Sequence, residues 1–209
     1  MTAGTYFLVA GVAYLFGSIP FGLILVRFVR GEDVRLSGSG NIGATNVART
    51  GGAKLGVATL LLDALKGYAG VAFAIAVSHR DAAIDAGLAA ALAALCAIVG
   101  HVFPIWIKFR GGKGVATAVG AFLGLAPRAV LVVLAIFLIV VAISRYVSLG
   151  SIVASAVFPV LVYFLYRDTS TIADLLVMFA ASLLIILKHR ANIRRLLNGT
   201  ENRLQFQRT

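Results

Sequence analysis

Charge, acid and cysteine are all scarce in this sequence. Only 13% of its 209 residues are charged, too few to coat a water-soluble domain of that length. One cysteine, Cys96, excludes a disulfide framework within the chain. Its apolar neighbours mark it as a small buried hydrophobe. Eight acidic residues stand against 19 basic ones, a net charge of +11. On a soluble protein that excess would suggest nucleic acid, but in an apolar chain it points to anionic lipid or an anionic substrate. The three histidines are far apart and no carboxylate cluster accompanies them, which argues against a metal site. Nothing calls for a cofactor, a nucleic acid or an obligate protein partner. No basic residue precedes Arg27 and no small-residue cleavage site follows a short apolar core, so the N-terminus reads as a retained span.

What is abundant is hydrocarbon. Sixty per cent of the residues are hydrophobic and the mean hydropathy is +0.97. Apolar runs cover Thr5–Phe28, Leu55–Val77, Ala83–Ile107, Val115–Leu125, Ala129–Ile143, Ser151–Tyr166 and Ile172–Leu187. They lack the alternation of barrel strands, so each predicts a helix. A helix needs roughly 20 apolar residues to cross the bilayer, and the fourth run is too short. Pro127 separates it from the fifth, with which it can dip into the membrane and return. The expectation is a single all-α domain over 1–209, a polytopic bundle of about seven transmembrane or re-entrant helices.

Charge sets the orientation. With the N-terminus outside and the C-terminus inside, the inner side collects Arg27, Arg30, Arg35, Arg49, Lys54, Lys108, Arg110, Lys113, Arg145, Lys188, Arg190, Arg194, Arg195, Arg203 and Arg208. Only Arg80, Arg128 and Arg167 remain outside, as the positive-inside rule requires. Asp63 and Lys66 lie three residues apart within the second span. They suit either a buried ion pair or a substrate contact.

Four polar clusters then fall on the inner side. The first, Arg35 to Arg49, carries Gly38, Gly40 and Gly43 among Ser39, Asn41, Thr45 and Asn46. A helix starting near Asn41 puts Thr45 and Arg49 on one face, with Asn46 beside them. Hydroxyl, amide and guanidinium together suit a phosphate or a glycerol backbone. The second cluster places Gly111, Gly112, Lys113 and Gly114 directly before the run from Val115. Free glycine N–H groups and a helix N-terminus beside a lysine make a phosphate cradle, although not a Walker A loop. The third, Arg145 to Ser151, offers Ser151 as a helix cap. The fourth holds His189 and Asn192 on one helical face, with the histidine as a donor or base. Convergence on one side favours one phosphate site.

These motifs closely resemble the acyl-phosphate:glycerol-3-phosphate acyltransferases, the PlsY family of bacterial membrane enzymes. The resemblance rests on Gly17–Gly22, Ser37–Asn46, Gly100–Pro104, Gly111–Thr117 and Lys188–Ile193, in the family order over nearly the whole chain. It implies a seven-helix enzyme of the bacterial cytoplasmic (inner) membrane with its active site facing the cytoplasm. Its substrates would be acyl phosphate and sn-glycerol 3-phosphate, its products 1-acyl-sn-glycerol 3-phosphate and phosphate. The residues it marks as catalytic are Ser39, Arg49, Lys113, His189 and Asn192. Thr45, Asn46, Gly111, Gly112, Gly114 and Ser151 would bind substrate, and membrane lipids would surround the acyl chain. Acyltransferases that use thioesters rely on a His followed five positions later by Asp. Here Ile84, Trp106 and Arg194 stand five after the histidines. A transporter for an organophosphate would want its charges near the midplane, where only Asp63 and Lys66 lie.

Overall fold

A computed structural model describes residues 2–81 and 83–204. Arg208, counted above with the inner charges, lies outside the described residues. Among the described residues there are ten α-helices and no strand.

The first apolar run forms two helices, α1 (Thr2–Ser18) and α2 (Phe21–Arg30). Pro20 divides them, because it supplies no N–H and restricts Ile19. Together they make one apolar unit of 28 residues, Ala3–Arg30. The loop beyond α2 leads to α3 (Ala44–Gly51) and then to α4 (Ala53–Ser78). Next come α5 (Ala86–Val102), the short α6 (Val115–Leu125) and α7 (Pro127–Ser144). The remainder is α8 (Val147–Tyr166), α9 (Ile172–Lys188) and α10 (Arg190–Leu197). The last two meet at a bend of 53°.

Among the described residues five units are long and apolar enough to cross a membrane, six if α9 and α10 count as one span. The outer surface agrees with that reading. Phe7, Leu61, Leu131, Ile143, Phe164 and Leu176 are all exposed, as side chains that face lipid would be. Inside, small residues bring backbones together. A Cβ on Gly17 would strike the Ala97 backbone, one on Gly67 the Thr117 carbonyl and one on Gly120 the Ala64 carbonyl. This is how membrane helices gain van der Waals contact where the hydrophobic effect offers none.

Asp63 and Lys66 pair with each other within α4. Lys66 Nζ lies 2.8 Å from Asp63 Oδ1 and donates to the Ile19 carbonyl at 2.6 Å. Both side chains are buried. The ammonium thus satisfies a carbonyl at the Pro20 break as well as a carboxylate. His101, at the end of α5, stands 3.6 Å from the same carboxylate oxygen.

The third cluster differs from expectation. α8 begins at Val147, with Tyr146 as its N-cap residue, so Ser151 sits inside the helix rather than capping it. Its hydroxyl donates back to the Val147 carbonyl at 2.9 Å. The bare apolar run had hidden the first turn, because Ser148 and Gly150 interrupt it.

Candidate active site

One end of the bundle gathers the polar loops. The segment after α5 folds back along that helix: Gly111 N–H donates to the Val102 carbonyl at 3.1 Å and Gly112 N–H to the His101 carbonyl at 3.0 Å. The turn is therefore recessed beside the last turn of α5, and α6 starts inside the bundle. Gly114, with φ 86°, closes the turn as the N-cap of α6. Two N–H groups expected to face a phosphate are thus engaged within the fold. Gly111 and Gly112 are required for space instead. A Cβ on either would collide with His101, at its carbonyl or its imidazole. Among the described residues the amides of Lys113, Gly114, Val115, Ala116 and Thr117 have no hydrogen-bond partner, and the last three open α6. The helix dipole adds partial positive charge there.

Lys113 projects from this turn, half-buried. Burial, together with Arg195 and Arg49 and against the pull of Glu201, brings its ammonium pKa down to about 8. Those influences place the first loop, the glycine turn and the C-terminal segment around one spot.

The first loop is organised by Asn46. Its buried amide donates to the carbonyls of Asn41 at 2.8 Å, Ser37 at 3.1 Å and Val34 at 3.3 Å. Its Oδ1 accepts from the Ser39 N–H at 2.9 Å. The side-chain amide of Asn46 is therefore spent on shaping the loop. Gly38 has φ 60°, and a Cβ there would collide with the Asn46 amide oxygen. Thr45 and Arg49 stand exposed one turn apart on α3, as their spacing predicted. Two loop cations are already neutralised. Arg35 is bound to Asp33 at 2.6 Å and Arg30 to Glu32 at 3.3 Å. The Arg35 bond, working against some burial, holds the Asp33 carboxyl at about 2. Arg49 has no carboxylate partner among the described residues.

At the α9–α10 bend His189 is buried, with Nδ1 2.8 Å from the Ile185 carbonyl. A carbonyl only accepts, so Nδ1 carries the proton and Nε2 is the remaining functional atom. Burial and the neighbouring Lys113 push this imidazole down to about 4. Asn192 lies buried on the same face and donates Nδ2–H to Glu201 Oε1 at 2.7 Å. Ser148 donates to the same oxygen at 2.8 Å and Arg195 Nε to Oε2 at 2.7 Å. Burial alone would raise the Glu201 pKa, but the bonds from Asn192, Arg195 and Ser148 outweigh it and lower the value.

Sequence reasoning missed Ser148, Arg195 and Glu201. Ser148 was legible in principle, three residues before Ser151 and so on the same helical face. Glu201 lies in a coil beyond the last helix, where periodicity carries no signal. Beside the cluster runs an apolar cavity of about 50 Å³ between α6, α7, α8 and α9. Val115, Phe122, Phe158, Ser182 and Ile185 are among its walls, and Phe122 and Phe158 stack at 4.2 Å. Of its wall residues, Val115 follows the Gly114 cap directly and Ile185 lies one helical turn before His189.

Two cations without a carboxylate partner among the described residues, Arg49 and Lys113, close to an apolar cavity agree with the sequence comparisons. A family model described as glycerol-3-phosphate acyltransferase matches residues 7–199. The chain belongs to the glycerol-3-phosphate acyltransferase family. Glycerol-3-phosphate acyltransferase of Syntrophotalea carbinolica is 50% identical over 201 residues, 96% of this chain and 98% of the relative. That of Sinorhizobium medicae is 52% identical over 192 residues, 91% and 88%. Among solved structures, PlsY (YgiH), an integral membrane glycerol 3-phosphate acyltransferase in its glycerol 3-phosphate form, superposes with a TM-score of 0.85. It is 36% identical, and the match covers 97% of this chain and 96% of that one. Its lysophosphatidic acid form gives a TM-score of 0.82 at 34% identity. The protein is a multi-pass membrane acyltransferase.

Proposed function

We propose that this enzyme moves an acyl group from acyl phosphate to sn-glycerol 3-phosphate. The products are 1-acyl-sn-glycerol 3-phosphate and inorganic phosphate, in the first step of bacterial phospholipid synthesis. The observation that carries the reading is that Arg49 lies near enough to the half-buried Lys113 to act on its charge, beside an apolar cavity and with Arg195 already paired to Glu201. Two phosphate-bearing substrates repel each other, and one of them also carries a hydrocarbon chain. Fixed positive charge lowers the cost of their approach, and positioning contributes several kcal/mol more.

Acyl phosphate is a mixed anhydride and needs little covalent help. The acceptor hydroxyl oxygen attacks the acyl carbon, the bond from that carbon to the phosphate oxygen breaks, and the hydroxyl proton leaves with the phosphate. Lys113 and the first-turn amides of Val115 and Ala116 suit the donor phosphate, in a turn shaped by Gly111, Gly112 and Gly114. Arg49, Ser39 and Asn192 hold glycerol 3-phosphate, with Thr45 next to Arg49 and Asn46 fixing the loop. Ser151 lies about one turn further along α8 than Ser148, within reach of a substrate held there. His189, neutral at ordinary pH, offers Nε2 as a hydrogen-bond acceptor. The acyl chain runs between α6, α8 and α9.

The polar end of the bundle is the cytoplasmic one, with the N-terminus outside and the C-terminus inside a bacterial inner membrane. The supporting argument is electrostatic: the end that bears the four basic clusters is the one retained inside.

The test uses purified protein in detergent with glycerol 3-phosphate and one donor at a time: acyl phosphate, acyl-CoA or acyl-carrier protein. Lysophosphatidate from acyl phosphate is expected. Product from thioesters alone overturns the donor assignment.

A further inference from the structure

Three features remain outside the mechanism: the buried Asp63–Lys66–His101 group, the serines Ser155 and Ser182 in the cavity wall, and Glu201. The Asp63 group supports the Pro20 break and the glycine turn, and the serines stand in the acyl cavity already assigned. Glu201 leads further. Its side chain is only 6% exposed, although it lies beyond the last helix.

The chain around Glu201 is fastened on both sides. Thr200 N–H donates to the Arg195 carbonyl at 2.8 Å and Leu204 N–H to the Arg145 carbonyl at 2.7 Å. Arg203 Nε donates to the Tyr146 hydroxyl at 3.0 Å. The tail is thus a strap from α10 to the α7–α8 corner, with Glu201 pointing inward from it. A carboxylate accepts and cannot donate. By taking Nδ2–H of Asn192 at 2.7 Å, it fixes which way that amide faces. Nδ2 turns to Glu201, and Oδ1 is left without a partner among the described residues, on a side chain that is 95% buried.

We propose that Glu201 is a positioning residue that makes Asn192 a hydrogen-bond acceptor, so that Asn192 Oδ1 receives a hydroxyl hydrogen of the glycerol moiety. The idea rests on the function proposed above and deepens it. Phosphate oxygens of a dianion only accept, so Oδ1 gains nothing from them. A glycerol hydroxyl donates, and the site distinguishes the two by chemistry. Arg49 and Lys113 supply the charge for phosphate, while the Glu201–Asn192 pair reads the alcohol. Arg195, held by the other carboxylate oxygen, keeps Glu201 ionised and in place.

The experiment compares binding of glycerol 3-phosphate with binding of inorganic phosphate, by calorimetry on detergent-solubilised protein. Glu201→Gln keeps the size but lets the side-chain amide offer a donor to Asn192, which frees that residue to flip. Affinity for glycerol 3-phosphate is expected to fall about tenfold, the scale of one misdirected hydrogen bond, while affinity for phosphate stays within twofold. Asn192→Ala should show the same selectivity, and the KM for acyl phosphate should hold steady in both. Glu201→Asp, which keeps the charge but shortens the reach, supplies the same measurement if the Gln protein does not fold. Equal losses for both ligands, or no loss for either, overturn the proposal. Failure of the wild type to transfer acyl groups, with glycerol 3-phosphate binding still selective, would instead sink the donor assignment.

Discussion

Gly112 packs directly against the imidazole of His101, so closely that a Cβ on the glycine would collide with Nε2. The turn that presents Lys113 is thereby tied to the end of α5, and through His101 to the Asp63–Lys66 pair. Gly112→Ala must push the turn outward or displace a buried ring. Overpacking of this kind costs about 1–3 kcal/mol. A fall of several degrees in the melting temperature in detergent and a loss of at least tenfold in acyl transfer are expected. Gly4→Ala, where nothing lies within 4 Å, is the control, and it should melt no lower than the parent. An active, fully stable Gly112→Ala protein would show that the turn is not braced in this way.

The helices were legible in the sequence, because apolar runs of membrane length have few alternatives once water is excluded. Their interruptions were less so. Pro127 announced the α6–α7 break, whereas Pro20 was read through, since the run on either side is uniformly apolar. Thr45 and Arg49 came together as their spacing required. The glycines of Gly111–Gly114 were read as donors, yet two of their amides are consumed by α5 carbonyls. Composition says that glycine permits close approach, but not whether a ligand or a helix end does the approaching. Asn46 and Glu201 make the same point. Their partners are backbone carbonyls and distant side chains that no local pattern encodes.

Lys113 gives the acyl transfer a pH dependence with a definite sign. Its folded pKa lies below the ordinary lysine value, at about 8, so the ammonium is lost as pH rises through 8. If that charge stabilises the transition state, kcat/KM falls above pH 8, and Lys113→Arg moves the fall upward because guanidinium stays protonated. Lys113→Ala and Arg49→Ala should each cost about two orders of magnitude. Stability runs the other way. Between pH 8 and about 10.5 the unfolded chain binds the extra proton, so the empty protein gains stability as pH rises through that window. Rates within threefold of wild type in either alanine variant would remove the charge-neutralisation argument.

His189 tests who takes the proton. With Nδ1–H bound to the Ile185 carbonyl and a pKa of about 4, Nε2 is too weak a base to be matched to neutral pH. If the donor is acyl phosphate, as proposed, the leaving phosphate is the better acceptor, because it departs from the carbon that the hydroxyl attacks. His189→Ala should therefore lower kcat by only several fold, and the kcat profile from pH 5.5 to 7.5 should keep its shape. A limb centred near pH 6.5 that disappears in the variant would make His189 the base after all.

Sidedness is the remaining demand, because a shared pocket cannot straddle a membrane. Cys96 is the one native thiol, so a Cys96→Ala background lets single cysteines report position. Lys54 and Arg110 are exposed near the polar end, and Arg80 and Arg167 are exposed beyond the far ends of α4 and α8. A membrane-impermeant maleimide should modify Lys54→Cys and Arg110→Cys only in inside-out vesicles. Arg80→Cys and Arg167→Cys should react only in intact spheroplasts. If the first pair reacted from the outside together, the site would survive but face the wrong compartment for a cytoplasmic substrate. If Lys54→Cys and Arg110→Cys reacted from opposite faces, Arg49 and Lys113 could not act on the same pair of anions.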